Sequence, residues 1–283
     1  MTTSRLSHAV ATGVLLSILA GCGGPTTGTT SPPSAGASQP VAPPSTAPIT
    51  ESVTTPPPTE AAALAALPAK LRSRVPRFAP PPAPTKVTLP KGDKAPNFTR
   101  IPTTEKIAFI TIDDGWEKNP LALQLFQAAN VPVTLFLEVD AVKSDPGYFI
   151  PMQAAGVTIQ NHTISHPTMT RLSYEGQKRQ ICGGADRLAK LFGPRPTLFR
   201  PPGGAFNGTT LRAAKACGMK ASFTWTQTTD HGIVFFQGPT RVVQPGDIIL
   251  MHFRPRFVDD FLAVLNAIDK AGLTPARLED YIP

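Results

Sequence analysis

The stretch "KIAFITIDDGW" (106–116) carries a buried-strand pattern directly into two adjacent aspartates, a glycine and a tryptophan. Neighbouring carboxylates repel, and neither can pair through a strand ladder. Asp and Gly are common turn residues, so one reading of Asp113-Asp114-Gly115 is a turn that ends the strand. The other is a shared cation, with one carboxylate holding the ion and its neighbour acting on a water. The rest of the chain bears on that choice.

Outward from this strand, strand and helix patterns alternate. The run "LALQLFQAA" (121–129) places Ala122, Leu125, Phe126 and Ala129 on one helical face. "VPVTLFLEV" (131–139) reads as a strand, followed by a helical segment near 148–155 and a strand at "GVTIQ" (156–160). An amphipathic helix spans 173–192 and stops at Gly193 and Pro194. Strands at "TLFR" (197–200), "KASFTW" (220–225) and "DIILMHF" (247–253) flank a helix near 209–217, and a last helix covers 257–270. Such alternation predicts a parallel β/α architecture. Asp113, Asp114, His162, His166, Arg200 and His252 all fall at or just after the C-terminal ends of these strands, the face that carries active sites in β/α barrels.

The N-terminal third has another character. Of 33 prolines, 17 lie between Pro25 and Pro90 among Thr, Ser and Ala, a composition that cannot offset its ordering entropy by burial. It reads as a disordered tether, with "EAAALAAL" (60–67) as a short helical exception. Before it, Arg5 and the apolar run "VATGVLLSILA" have the layout of a secretory signal. "LAGC" (19–22) resembles a bacterial lipobox, which implies cleavage before Cys22 and lipidation of its thiol; an ordinary signal peptide is the alternative.

Export permits disulfides, so Cys182 and Cys217, in consecutive predicted helices, are either bridged or two free thiols. The formal charge of +8 does not indicate nucleic acid. Between residues 61 and 100 eight Lys/Arg face one acid, whereas from 101 onward 18 face 16. The excess positive charge thus belongs to the tether, where anionic lipid or wall polymer would attract it.

"NHTISHP" (161–167) adds histidines at i and i+4, able to meet one ion on a helix or in a tight loop. With an aspartate from a neighbouring strand end they form a two-histidine, one-carboxylate set, which leaves coordination positions open. At this point the chain resembles the polysaccharide deacetylases, the NodB-homology carbohydrate esterases of family 4. The resemblance covers about residues 105–275 and rests on "TIDDG", "NHTISHP", "RPPGG" (200–204) and "ILMH" (249–252), in the family's order.

The resemblance implies a distorted (β/α) barrel and a divalent metal, zinc first with cobalt, nickel or manganese as alternatives, bound by Asp114, His162 and His166. Asp113 would be the general base and Arg200 its partner. His252 would protonate the leaving amine, Leu250 would line the acetyl pocket, and the backbone N–H of Gly203 would serve the oxyanion. The family's tyrosine after "RPP" is replaced here by that glycine. The fourth motif also departs, as "TWTQTTDHG" (224–232): Asp230 would orient His252, support Arg200, or be a plain loop residue, and His231 stands where an aromatic wall is expected.

The expected organisation is a signal peptide (1–21), a lipidated Cys22 with a disordered tether (22–94) and a deacetylase domain (95–283). The expected molecule is a monomer on the outer face of the cytoplasmic membrane that removes N-acetyl groups from peptidoglycan or a similar glycan. The rival readings are an O-acetyl esterase acting on xylan or another polymer, and a non-catalytic glycan-binding lipoprotein.

Overall fold

The computed structural model describes residues 59–283, so the signal peptide, Cys22 and the first part of the predicted tether lie outside the described residues. Helices α1 (Glu60–Ala66) and α2 (Ala69–Arg72) lead into strands β1 (Asn97–Phe98) and β2 (Ile107–Asp114). Then follow α3 (Ala122–Ala129), β3 (Thr134–Leu137), α4 (Val139–Val142), α5 (Ile150–Ala154), β4 (Thr158–Asn161) and α6 (Tyr174–Phe192). The chain continues through β5 (Leu198–Phe199), α7 (Gly208–Ala216), β6 (Ala221–Phe223), β7 (Gln227–Asp230) and β8 (Ile233–Phe236). It ends with β9 (Ile248–His252), α8 (Phe257–Lys270) and β10 (Thr274–Pro275).

The strands form one sheet in the order β1-β6-β5-β4-β3-β2-β9-β7-β8, with β10 beside β2. Every pairing is parallel except β7 with β8. The sheet curls into an open half-barrel. Its first and last strands do not meet in a ladder; Arg100 after β1 instead bridges to the buried Asp247 before β9, whose other oxygen accepts from Gln227 and from the Gln244 amide. Among the described residues no helix is long and apolar enough to cross a membrane.

Strand alternation sorts side chains into two layers. Along β2, Ala108, Ile110 and Ile112 pack outward against Leu125, Phe126, Phe261 and Leu265 of α3 and α8. Ile107 and Phe109 point into the barrel with Phe136, Leu198, Phe223, Ile248 and Tyr281. Each such large apolar side chain contributes about 1.5–3 kcal/mol when fully buried. Continuing the inward parity by two residues at a time places Thr111 and Asp113 on β2, His162 after β4, Arg200 after β5, and Leu250 and His252 on β9 above this plug. Both faces of the central strands are buried, which is why they read as near-continuous apolar runs.

Residues 60–94 correct the predicted tether boundary. Ala63, Leu67 and Val75 join the outer core and Leu71 packs against it, with α1 lying on α3 and the chain turning at Leu67 and Pro68 between the two short helices. Thr59 caps α1 through the Ala62 amide. Glu60 accepts from Asn130 and pairs with Arg77, and Arg74 pairs with Asp259. Farther on, the Val87 amide donates to the Tyr281 carbonyl and the Ala95 amide to that of Leu211. The proline-rich stretch is extended, yet pinned along the domain.

At the floor of the barrel, the Glu279 carboxylate accepts from Thr134 Oγ1 at 3.0 Å, Thr158 Oγ1 at 2.7 Å and Gln160 Nε2 at 3.2 Å. Burial pushes its pKa above the ordinary carboxylate value, and these hydrogen bonds oppose the shift without cancelling it. The folded state therefore holds the proton more tightly than the unfolded chain. This group's contribution is present below the unfolded pKa and is lost as pH rises through the raised folded value. Denaturation of wild type and Glu279→Gln between about pH 4 and pH 8 should show a smaller loss of stability with rising pH in the variant; parallel curves would contradict the assignment.

Candidate active site

Adjacent strands bring the inward-facing polar groups to one level. In the parallel register Asp113 lies beside Phe136 of β3 and His252 of β9, while Asn161 lies beside Leu137 and Phe199. The strand-end residue Arg200 continues that ladder through its amide to the Asn161 carbonyl. Its guanidinium is 0% exposed and donates to Asp113 Oδ1 at 2.7 Å and Thr111 Oγ1 at 2.8 Å. It also lies 4.3 Å from the Phe136 ring centre. Asp113 is 2% exposed, so two opposite charges are buried as a pair.

The Arg200 carbonyl accepts from His162 Nδ1 at 2.7 Å, which fixes the ring with Nε2 toward the aspartates. His162 Nε2 is 3.4 Å from Asp114 Oδ1 and 3.7 Å from Asp113 Oδ2. His166 Nε2 is 3.5 Å from the same Asp114 oxygen. The second histidine arrives in a tight loop and not on a helix: Thr163 and His166 both have positive φ, at 76° and 52°. Such backbone is strained and must be held by its surroundings.

Helix α6 does the holding. Gln180 Oε1 accepts from the Ile164 and Ser165 amides at 3.0 and 3.2 Å, and its Nε2 donates to Ser165 Oγ. Asn161 Nδ2 donates to the Ile181 carbonyl, and its Oδ1 accepts from the Thr163 amide. Close approach requires Gly184, where a Cβ would sit 2.5 Å from Asn161 Oδ1. Gln180→Ala should therefore speed amide exchange at Ile164 and Ser165 by about tenfold, the effect of losing roughly one net hydrogen bond each. Unchanged protection at both amides would show that α6 does not brace the loop.

Asp114 departs from strand alternation, which would turn it away from Asp113. Its φ of 70° swings the carboxylate back toward the histidines. The following Gly115, at φ 105°, has no room for a side chain, because a Cβ would lie 2.7 Å from Val142. Asp114 Oδ1 is buried without a hydrogen-bond partner. The ligand atoms of Asp114, His162 and His166 all lie within 4.8 Å of one another. An orphaned carboxylate oxygen facing two imidazole nitrogens is a donor set that fits a divalent cation.

The electrostatics point the same way. Burial pushes the Asp114 pKa up, but His162 against it, together with the charges on His252 and His166, hold it below the ordinary value. For His162 burial opposes the charged form, and Asp113 and Asp114 outweigh it and raise its pKa. His166 is lowered by burial and then by His162, and His252 by burial, which outweighs the raising effect of Asp113 and Asp114. The pocket favours one positive charge between the carboxylates, the place a metal ion would take.

These groups open into a cavity of about 720 Å³ whose lining includes Asp113, Asp114, His162, His166, Gly203, Leu250 and His252. His252 Nε2 is 3.9 Å from Asp114 Oδ2, and Leu250 shares the inward face of β9. A Cβ on Gly203 would meet nothing within 4 Å, so the wall is open where the family's aromatic residue is missing. Asp230 also lines the cavity, but it serves neither His252 nor Arg200. Its carboxylate pairs with Arg254 at 3.1 Å and His231 at 3.0 Å. The predicted fourth-motif loop is instead the β7/β8 hairpin, turning at His231 and Gly232, both with positive φ. His231 is exposed and not among the cavity-lining residues; Trp225 and Phe235 line that side.

Sequence reasoning assigned no role to Trp116, Glu138 or Arg254. Trp116 was visible as a tryptophan beside the two aspartates, whereas nothing local marked Glu138, which ends an apolar strand. Away from the cavity, Cys182 of α6 and Cys217 after α7 form a disulfide with Cα atoms 4.9 Å apart.

Residues 100–222 match the sequence model of a family described as polysaccharide deacetylase. An uncharacterized protein of Streptomyces coelicolor is 34% identical over 193 residues, covering 66% of this chain and 77% of that one. A peptidoglycan-N-acetylglucosamine deacetylase of Bacillus cereus is 30% identical over 161 residues, covering 54% and 75%. Among solved structures, a family 4 carbohydrate esterase from Bacillus anthracis superimposes with a TM-score of 0.56 at 23% identity, covering 65% of this chain and 86% of that one. A family 4 pseudoenzyme from the same organism gives 0.60 at 22% identity, covering 66% and 69%. At such identities the two structures bear on the fold alone, while the family match over residues 100–222 includes Asp113, Asp114, His162, His166 and Arg200. The chain belongs to the polysaccharide deacetylase family.

Proposed function

We propose that this chain is a metal-dependent hydrolase that removes N-acetyl groups from a cell-envelope glycan. The observation that carries the reading is the pairing of a buried, arginine-held carboxylate, Asp113, with the adjoining Asp114–His162–His166 set. A glycan-binding protein needs no such proton acceptor. The B. cereus relative, named for acetylglucosamine in peptidoglycan, supports the substrate class.

A divalent ion held by Asp114, His162 and His166 would supply Lewis acidity, acidifying a water and polarising the acetyl carbonyl. Asp113 is placed to take the proton of the attacking water, its orientation fixed by Arg200 and Thr111. His252, at the same register on the next strand, is placed to hand a proton to the departing amine. Burial lowers the pKa of its half-buried ring, which makes the protonated form a readier donor. Leu250 offers an apolar seat for the acetyl methyl, and the Gly203 amide is assigned to the oxyanion.

Acetate release from N-acetylated and O-acetylated glycans, with and without chelator, tests the reading. Release from N-acetyl substrates that chelator abolishes is expected. Release from O-acetyl substrates alone would make the protein an esterase, and binding without release would make it a glycan-binding lipoprotein.

The lipobox-like "LAGC" (19–22) supports attachment at the outer face of the cytoplasmic membrane. The residues between Cys22 and the first packed helix would reach at most roughly 130 Å. Cys22→Ser should move the protein from the detergent phase to the aqueous phase; identical partitioning would refute lipidation.

A further inference from the structure

We propose that Trp116 is the platform on which the pyranose ring of the substrate stacks, and that Glu138 is the positioning residue that holds it there. The inference rests on the reading of the cavity as a glycan deacetylase site. Among the large apolar side chains exposed in the described residues, Trp116 is the most exposed, at 60%, and it lines the cavity that holds Asp114. An indole so far from the core gains little from packing and would be free to rotate. It is not free: Nε1 donates to Glu138 Oε2 at 2.9 Å.

Glu138 is the unusual partner. It is 3% exposed between β3 and α4, and no other side chain donates to it among the described residues. Burying a carboxylate for a single indole bond is costly for stability alone. The clamp is also tied to the metal-ligand candidate, because the Glu138 amide donates to the Asp114 carbonyl at 3.0 Å. Between them Gly115 is wedged against Val142 with no room for a Cβ. Hydrogen bonds thus link indole, clamp and ligand in one chain, which sets the height of the ring beside the reacting centre.

An aromatic face held over a polar, charged cavity suits the C–H face of a neutral sugar, with the hydroxyl and amide groups turned to polar partners. Phe235, 49% exposed on β8, lines the same cavity, and Gly203 leaves its own stretch of wall without a ring. Trp116 supplies the aromatic surface that Gly203 lacks.

The sequence holds two tryptophans, so emission from the full chain carrying Trp225→Phe reports Trp116 alone. Titration of that chelated protein with an N-acetylated chitooligosaccharide should give a saturable change in emission. Trp116→Ala should raise Kd and KM about tenfold, the effect expected of one lost stacking contact. Its kcat should stay within about twofold, the pattern of binding that ground and transition states share. Glu138→Gln, whose amide oxygen still accepts from the indole, should retain most affinity, whereas Glu138→Leu should lose it. Wild-type KM in Trp116→Ala, or a fall confined to kcat, would overturn the platform while leaving the deacetylase reading intact. Saturable binding that depends on Trp116, without acetate release from any glycan, would support the platform and overturn the hydrolase reading.

Discussion

Asp113→Asn is expected to lower acetate release by about 10²–10⁴-fold, the usual value of general-base help, with divalent metal content unchanged. The neighbouring change Asp114→Asn is expected to behave differently. It removes one ligand, so metal affinity should fall and excess metal should restore part of the activity. Both changes are nearly isosteric and each removes one negative charge. A pair of turn residues would therefore give similar outcomes. Their side chains differ in what they meet: Asp113 faces Arg200 at 2.7 Å, and Asp114 faces both histidines with an oxygen that has no other partner. Metal titration with parallel kinetics separates the cases. Equal metal loss in both variants, or near-normal turnover in Asp113→Asn, would refute the division of labour.

Arg200→Met should cost about 3–5 kcal/mol of stability, because it strands a buried carboxylate without its counter-charge. Arg200 is 0% and Asp113 2% exposed, so the pair sits almost wholly out of bulk solvent and the lost charge is poorly replaced. Thr111 and the Phe136 face would also lose their partner. For a domain of this size the cost corresponds to a fall in Tm of roughly 10 °C. The measurement is best made with chelator present, since a bound cation would compensate the orphaned charge. Adding Asp113→Asn to Arg200→Met should recover much of the loss, and the double-mutant cycle measures the coupling. Additive effects would mean that the pair contributes only through separate packing.

Much of the fold was legible because its central strands are buried on both faces. "IAFI" and "IILM" are continuous apolar runs, and α8 buries Phe261, Leu262, Leu265 and Ile268 at the expected helical spacing, whereas Val258, expected on the same face, is only half-buried and Phe257 takes the core position beside it. The β7/β8 hairpin was not legible. Its exposed face carries Ile233 and Phe235, so the apolar alternation points away from the core, with Phe235 at the cavity. The packed segment from 60 to 94 was hidden for the opposite reason. Its prolines dominate the composition, and Pro68 splits the apolar residues Ala63, Leu67, Leu71 and Val75 between two short helices and the segment after them, so no single period runs through them.

The site divides along the same line. Local sequence determined which residues stand at strand ends, Asp113, Arg200 and His252 among them. Tertiary structure alone decided the rest. Asp114 joins the histidines only because a left-handed φ breaks the alternation. His166 reaches them only because α6 braces a strained loop from residues 180–184. Asp230 is drawn to Arg254, an ion pair between separate elements that spacing along the chain does not encode. Periodicity follows from backbone geometry repeated residue by residue, so it is written locally; a strained turn or a cross-element charge pair depends on what the rest of the fold packs against it.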